Sequence, residues 1–172
     1  MTRTNIRPES PEDRPGVRQV NELAFGQPAE ADLVDRLRLA CADSLSLVAD
    51  DGVVVGHILF TPVVVEGAAG DVIGMGLAPM AVRPDRQREG IGSQLVKRGL
   101  EMLRERGCPF VVVVGHPDYY PRFGFEPASA RGLASQWEGV PDAAFMVLVL
   151  DTHAMTGTSG VARYRDEFNA VT

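Results

Sequence analysis

The chain has 172 residues, of which 45% are apolar, and its formal net charge is −6 at neutral pH. This length and composition suit one globular domain, so we expect a single domain over residues 1–172, with its core at 3–151 and a tail at 152–172.

The acidic balance argues against general nucleic-acid binding and against a polybasic membrane surface. The sequence has neither a signal-peptide core before Ser10 nor an apolar run that spans a bilayer. Cys41 and Cys108 lack metal-ligand spacing, which favours free thiols in a reducing compartment. We therefore expect a cytoplasmic protein with no nucleic-acid or membrane partner.

The first half of the chain predicts a strand, two helices and a meander. A short strand at Thr4–Arg7 is followed by helical spacing of apolar residues from Pro15 to Phe25, and a second helix opens at Pro28. Strands are predicted at Leu45–Ala49, Val53–Val65 and Gly74–Val82. The first two are joined by the turn Asp50-Asp51-Gly52, and a second turn is expected at Gly67–Gly70. These three strands predict an antiparallel meander.

The apolar period changes at Gly90, where a long amphipathic helix begins that Gly107 ends. The run Pro109–Gly115 is continuously apolar, which is typical of a strand buried on both faces. A strand, a long helix and a strand form a crossover between parallel neighbours. A loop and one short helical turn then lead to a strand that opens at Phe125, and the last strand is predicted at Ala143–Leu150. The tail is expected to be flexible or to add a terminal helix at Val161–Phe168.

Together these elements predict a mixed α/β fold. We expect a central sheet of about six to seven strands, mostly antiparallel, with helices on both faces and one parallel pair at its centre. If that pair separates near Ala81–Val82 and Gly115–His116, unpaired backbone groups there can hold a linear ligand like an added strand.

The turn before the long helix has the chemistry of a phosphate site. The N–H groups of the first turn of a helix have no partner within the helix, and the helix dipole adds positive potential. Two glycines, Gly90 and Gly92, let a phosphate approach these amides closely. Two common phosphate motifs do not match: Leu95 stands where the dinucleotide fingerprint needs its third glycine, and Gly92 is not followed by the Lys-Ser/Thr of the P-loop.

The segment Gln87-x-x-Gly90-x-Gly92 resembles the coenzyme A pyrophosphate loop of the GNAT superfamily of N-acetyltransferases. A second segment, Tyr120-Pro-Arg-Phe-Gly124-Phe125, resembles the part of GNAT proteins in which a tyrosine precedes a Gly-Phe pair by four residues. The segment Gly115-His-Pro-Asp-Tyr-Tyr is similar to the corresponding segment of one branch of this superfamily, called YhbS-like. The resemblance extends over about Met80 to Pro127, and elsewhere it rests on strand order.

The resemblance implies a GNAT fold whose parallel pair is splayed around acetyl-CoA as cosubstrate, with no metal. In many family members the tyrosine protonates the departing thiolate, which makes Tyr120 the candidate general acid. The expected product is an N-acetylated primary amine, from either a small molecule or a protein. The expected cofactor-binding residues are Ala81, Val82, Gln87, Arg88, Glu89, Gly90, Ile91, Gly92, Ser93, Tyr120 and Phe123.

The sequence leaves the general base open. His116 stands at a strand end near the expected site, and imidazole is a common base at neutral pH; a loop-ordering hydrogen bond is an equally good interpretation. Glu22, Asp118 and a water molecule are further candidates. The alternative function is a non-catalytic acyl-CoA sensor, and a structural module with a fortuitous loop is a third possibility. The oligomeric state is open between a monomer and a homodimer.

Overall fold

A computed structural model describes residues 4–67 and 69–170 of the chain. Within these residues there are three α-helices: α1 (Arg14–Phe25), α2 (Ala29–Ala40) and α3 (Ile91–Glu105). The strands are β1 (Asn5–Pro8), β2 (Leu45–Asp50), β3 (Val54–Gly67), β4 (Gly70–Val82), β5 (Phe110–Val114), β6 (Glu126–Pro127), β7 (Leu133–Ser135), β8 (Phe145–Val149) and β9 (Gly160–Arg163). Among the described residues, no helix combines the length and apolar character needed to cross a bilayer.

The strands form one mixed sheet, as predicted. Its order is β1-β2-β3-β4-β5-β8-β6; in addition β9 pairs with β3, and β7 pairs with β9. The pairs β1–β2, β2–β3, β3–β9, β5–β8 and β6–β8 are antiparallel, whereas β4–β5 and β7–β9 are parallel. The predicted parallel pair on either side of α3 is therefore confirmed.

The parallel pair is short. The ladder joins Met75 to Val111 and Gly76 to Val112. The next residues of the two strands, Leu77 and Val113, form no ladder pair in the described part of the chain, although both strands continue. On its other edge β5 stays paired with β8 throughout, with Val113 opposite Met146. β4 and β5 thus stop pairing before either strand ends.

The backbone contacts divide the chain into two compact units through which β3 and β4 both run. The first comprises residues 1–61, 78–101 and 166–172, and the second comprises residues 62–77 and 102–165. In the first unit, successive residues of β3 point to opposite faces of the sheet and therefore contact different helices. A Cβ on Gly56 would meet Ile91 and Leu95 of α3, whereas the next residue, His57, contacts Asn21 of α1.

The second unit has its own apolar core. Phe110 and Val111 to Val113 of β5 are buried, and so are Phe145 to Val147 of the neighbouring strand β8. Close backbone approach is needed at two glycines of β4 in this unit. A Cβ on Gly74 would lie 2.5 Å from the carbonyl oxygen of Phe110, and one on Gly76 would lie 2.6 Å from Tyr164. Both positions therefore need glycine for space.

The C-terminal part of the chain differs from the prediction. The proposed terminal helix at Val161–Phe168 is wrong in its first half, because Gly160–Arg163 is strand β9 and pairs with Val64 and Val65. A 3-10 helix follows at Asp166–Ala170. Within the described ranges, strands β7 and β9 bring the sheet to nine strands, above the six to seven expected. The predicted turn at Gly67–Gly70 includes Ala68, and the predicted domain 1–172 includes both ends of the chain; these residues lie outside the described ones.

Candidate functional site

The predicted phosphate loop lies between β4 and α3, in the first unit. Arg88 has φ 67° and Gly90 has φ 82°, so two residues of this short loop adopt the left-handed conformation. That conformation is uncommon for a residue with a side chain such as Arg88. Alternation of left- and right-handed residues turns backbone N–H groups into a concavity that binds anions. The two positive φ values make this loop a candidate anion site.

Glycine is needed at position 90 for conformation and not for space. A Cβ on Gly90 would meet no heavy atom within 4 Å, yet its φ of 82° disfavours any other residue. The carbonyl oxygen of Gly90 accepts a hydrogen bond from the N–H of Gln94 at 3.0 Å, which joins the loop to the first turn of α3. The loop is also tied to β4, because Nε2 of Gln87 donates to the carbonyl oxygen of Val82 at 3.2 Å.

Two of the three arginines near the loop are paired with carboxylates. Arg83 contacts Asp85 at 3.0 Å, and Arg86 contacts both Asp51 and Glu89. The guanidinium of Arg86 lowers the pKa of Asp51 and has its own pKa raised by that carboxylate. Arg88 is exposed and has no ion pair within residues 4–67 and 69–170.

The other predicted cofactor residues of the first unit differ in how much they expose. Ala81 and Ile91 have only 2% of their surface exposed, so their side chains belong to the core. Val82, Gly92 and Ser93 are half-buried, and Glu89 is exposed. Ala81 can therefore contact a ligand through its backbone alone, whereas Gly92 and Ser93 present partly open surface.

The predicted tyrosine lies in the second unit, at the start of a 3-10 helix (Tyr120–Phe123). Its ring is packed edge-on against Tyr119, with 5.1 Å between centroids, and against Phe125, with 5.7 Å. Phe123 lies 6.4 Å away and is half-buried. Only 7% of Tyr120 is exposed, and this burial raises its pKa to about 12. The phenol is therefore protonated at neutral pH.

His116 lies in the same loop as Tyr120 and is exposed. Its backbone carbonyl accepts hydrogen bonds from the N–H groups of Tyr119 at 3.1 Å and Tyr120 at 3.5 Å. The loop is thus ordered by the carbonyl of His116. The imidazole is not needed for that role.

The structure also contains a buried polar cluster in the first unit that the sequence did not predict. Ser46 donates its hydroxyl proton to Glu9 at 2.6 Å, and Oγ of Ser46 lies 2.9 Å from Nε2 of His57. Asn21 donates to Nδ1 of His57 at 3.2 Å, and Arg38 contacts Glu9. With Ser46 donating to Glu9, this network assigns His57 as the neutral tautomer protonated at Nε2.

The fully buried position of His57 lowers its pKa to about 3, with a smaller contribution from the charge of Arg38. Both ring nitrogens of His57 are already hydrogen-bonded, so the residue is structural. The sequence contains one indication of this buried cluster: Asn21 is a polar residue on the apolar face of α1, beside Val17 and Val20.

The model of the acetyltransferase (GNAT) domain family matches residues 5–128. Two proteins of Escherichia coli K12 are similar to the chain over most of its length. The uncharacterized N-acetyltransferase YhbS is 40% identical over 166 residues, which cover 95% of this chain and 98% of YhbS. The uncharacterized N-acetyltransferase YjhQ is 40% identical over 156 residues, which cover 87% of this chain and 86% of YjhQ.

Two solved structures are similar to the fold described above. The structure of YhbS from Escherichia coli in complex with CoA has a TM-score of 0.90 and 39% identity, covering 98% of this chain and 93% of that one. A GNAT family acetyltransferase from Brucella melitensis in complex with acetyl-CoA has a TM-score of 0.78 and 35% identity, covering 98% of this chain and 99% of that one.

Proposed function

The chain belongs to the acetyltransferase (GNAT) domain family, and we propose that it transfers an acetyl group from acetyl-CoA directly to a primary amine, with Tyr120 as the general acid. The observation that carries this proposal is the backbone of the loop before α3, where Arg88 and Gly90 are both left-handed. Such a loop at the start of a 15-residue helix suits a diphosphate.

The cofactor proposed for this loop is acetyl-CoA. The similar structures from Escherichia coli and Brucella melitensis, which contain CoA and acetyl-CoA, support this choice. In our proposal the pyrophosphate binds the backbone of the loop. The pantetheine arm follows the end of β4, and Phe123 packs near Tyr120 at the thiol end. The proposed cofactor-binding residues are those expected from the sequence: Ala81, Val82, Gln87, Arg88, Glu89, Gly90, Ile91, Gly92, Ser93, Tyr120 and Phe123.

The proposed reaction forms a C–N bond and breaks a C–S bond. The neutral amine attacks the thioester carbonyl carbon, and a backbone N–H near Val82 stabilises the developing oxyanion. The tetrahedral intermediate then collapses to the amide, and the C–S bond breaks to release the sulfur of CoA. Nitrogen loses one proton and sulfur gains one from the phenol of Tyr120. Because thiols titrate near about pH 8.5, full transfer from a phenol of pKa about 12 to a free thiolate is unfavourable. Tyr120 therefore gives its proton to sulfur in concert with breakage of the C–S bond, and the proton lost by nitrogen returns to the phenolate through solvent.

His116 is the proposed general base. It is exposed and lies four residues before Tyr120 in the same loop, so it can accept the proton of the amine directly or through water. The acceptor is a primary amine on a small molecule or a protein. The free thiols Cys41 and Cys108 support a reducing compartment, for which we propose the cytoplasm.

Calorimetric titration with acetyl-CoA tests the cofactor site. Gly90→Glu places a carboxylate at the proposed phosphate position, and we expect the affinity to fall by about tenfold or more. Gly107→Glu is the matched control, because Gly107 also has a positive φ, of 77°, and a Cβ added to it would also meet nothing within 4 Å. Equal affinities of the two variants would contradict the proposed site.

Steady-state kinetics test the acid. Tyr120→Phe removes only the hydroxyl, so we expect kcat to fall by about 10²-fold or more while the calorimetric affinity for acetyl-CoA is kept. Release of the CoA thiol is followed with n-butylamine, spermidine and a lysine-containing peptide as acceptors. Binding of acetyl-CoA without turnover of any amine, and without an effect of Tyr120→Phe, would instead favour an acyl-CoA sensor.

A further inference from the structure

We infer that Gly115 is a positioning residue for Tyr120: the missing side chain of Gly115 leaves the space in which the phenol ring is held. This inference rests on the proposed function, because it assigns a role to the tyrosine that we propose as the acid. Gly115 follows β5 directly, and both residues belong to the second unit.

The contact between the two residues is too close for any other amino acid at position 115. An ideal Cβ built on Gly115 would lie 2.4 Å from Cε2 of the Tyr120 ring, 3.0 Å from Cδ2 and 3.3 Å from Cζ. Real Cβ atoms essentially never come within 3.0 Å of a heavy atom. The closest ring atom is on the side of the ring near the hydroxyl, so the contact limits where the outer end of Tyr120 can lie.

The backbone conformation does not explain the glycine. Gly115 is not among the residues with positive φ, so its conformation is open to residues with side chains. It differs in this respect from Gly124, which has φ 98° at the end of the same loop. The need for glycine at position 115 therefore comes from its contact with Tyr120.

Neither partner can easily move away. The N–H of Gly115 donates to the carbonyl oxygen of Ala144 at 2.9 Å, and the preceding residue Val114 pairs with Phe145 of β8. The ring of Tyr120 is enclosed on other sides by Tyr119 and Phe125, at 5.1 and 5.7 Å between centroids. An added methyl group therefore has to displace the ring.

The displacement is large enough to matter for catalysis. Ordinary contact begins at 3.4 Å, so Cε2 has to retreat by about 1 Å from its present 2.4 Å. The hydroxyl oxygen lies farther from the backbone than Cε2, so tilting the ring moves it by more. A misplacement of about 1 Å in a reacting group can reduce a rate by about 10²-fold.

Tyrosine NMR tests the geometry without relying on activity. The chain has three tyrosines, so labelling their ring ε-carbons gives a short spectrum in which Tyr120→Phe identifies the Tyr120 signals. We expect Gly115→Ala to shift the signals of Tyr120 and to leave those of Tyr164 in place. Gly67→Ala is the matched control, because Gly67 lies in the same unit and its added Cβ would meet the carbonyl oxygen of Gly70 instead. Unchanged Tyr120 signals in Gly115→Ala would overturn the inference.

Kinetics then test whether the geometry serves the acid. We expect Gly115→Ala to lower kcat by about 10- to 100-fold with little change in the affinity for acetyl-CoA, and to have no further effect in a Tyr120→Phe background. Additive losses in the double variant would mean that Gly115 acts elsewhere, and would overturn the inference while the proposed acid stands. A normal kcat in Tyr120→Phe alone would instead overturn the role of Tyr120, and with it the role of Gly115.

Discussion

The buried histidine predicts a specific loss of stability in mild acid. His57 has a pKa of about 3 in the folded chain, against 6.5 for an ordinary histidine. Between these values the unfolded chain binds one more proton than the folded chain, so the free energy of unfolding rises with pH through this window. The contribution of His57 is complete above pH 6.5 and is lost as the pH falls. From about pH 7.5 to about pH 5, linkage gives a loss of about 2 kcal/mol from this one group.

His57→Gln isolates that contribution. The substitution keeps a side-chain amide near Ser46 but removes the titrating ring, so the variant is less stable at neutral pH and depends less on pH. We expect the difference in unfolding free energy between wild type and variant to shrink by about 2 kcal/mol between about pH 7.5 and about pH 5. Carboxylates that titrate in both proteins cancel in this difference.

Urea unfolding, followed by circular dichroism at 222 nm at several pH values, measures this difference. His153→Gln is the matched control, because His153 is exposed. This substitution also removes one titrating histidine from the unfolded chain, but it does not touch the cluster around His57. Parallel curves of unfolding free energy against pH for wild type and His57→Gln would refute the reasoning. They would mean that His57 is protonated as readily in the folded chain as in the unfolded one.

Urea unfolding also tests three further substitutions in the first unit, at a packed glycine, an ion pair and an exposed leucine. Gly99→Ala should destabilise by about 1 kcal/mol, because its Cβ would lie 2.4 Å from the buried ring of Phe60 and overpacking outweighs the gain in helix propensity; greater stability would contradict this. Asp13→Asn should cost about 1 to 2 kcal/mol at neutral pH, since it removes the carboxylate that binds Arg7 at 2.7 Å. Leu39→Lys should change stability by less than about 0.5 kcal/mol, because Leu39 is 89% exposed.

The helices and long strands were predictable because their periods are unambiguous. The apolar stripe of α3, with Leu95, Val96 and Leu103 buried, repeats at helical spacing and is flanked by glycines. The crossover rule then gave the parallel pair β4–β5 from chain order alone. These features follow from residues that lie close together in the sequence, so a single sequence is enough to predict them.

Strands β7 and β9 were missed because they depend on distant partners. β9 has four residues and pairs with Val64 and Val65, about a hundred positions earlier. β7 has three residues and pairs with β9 alone in the described part of the chain. Segments this short have no readable period, and the apolar residues Val161 and Ala162 fit a helix or a strand equally well.

The candidate site, too, could be predicted from the sequence only in part. The position of the loop and of Tyr120 came from motif spacing, and their assignment as site residues stays a prediction. The contact between Gly115 and Tyr120 could not be predicted, because a glycine that is needed for space looks the same in sequence as one that is needed for a turn. Likewise, nothing in the sequence indicates that Asp51, thirty-five positions before Arg86, is its partner.

The paired arginines change how the loop before α3 is understood to attract an anion. Three arginines, Arg83, Arg86 and Arg88, lie close together in the sequence before α3. In the structure the first two contact carboxylates, so most of their field is cancelled locally. In the proposed site, the groups that attract the anion are the exposed Arg88, the backbone N–H groups around the positive-φ residues Arg88 and Gly90, and the dipole of α3. The proposed site therefore acts on a phosphate through backbone geometry more than through net charge. Under the proposed function, this is how a chain of net charge −6 binds an anionic cofactor.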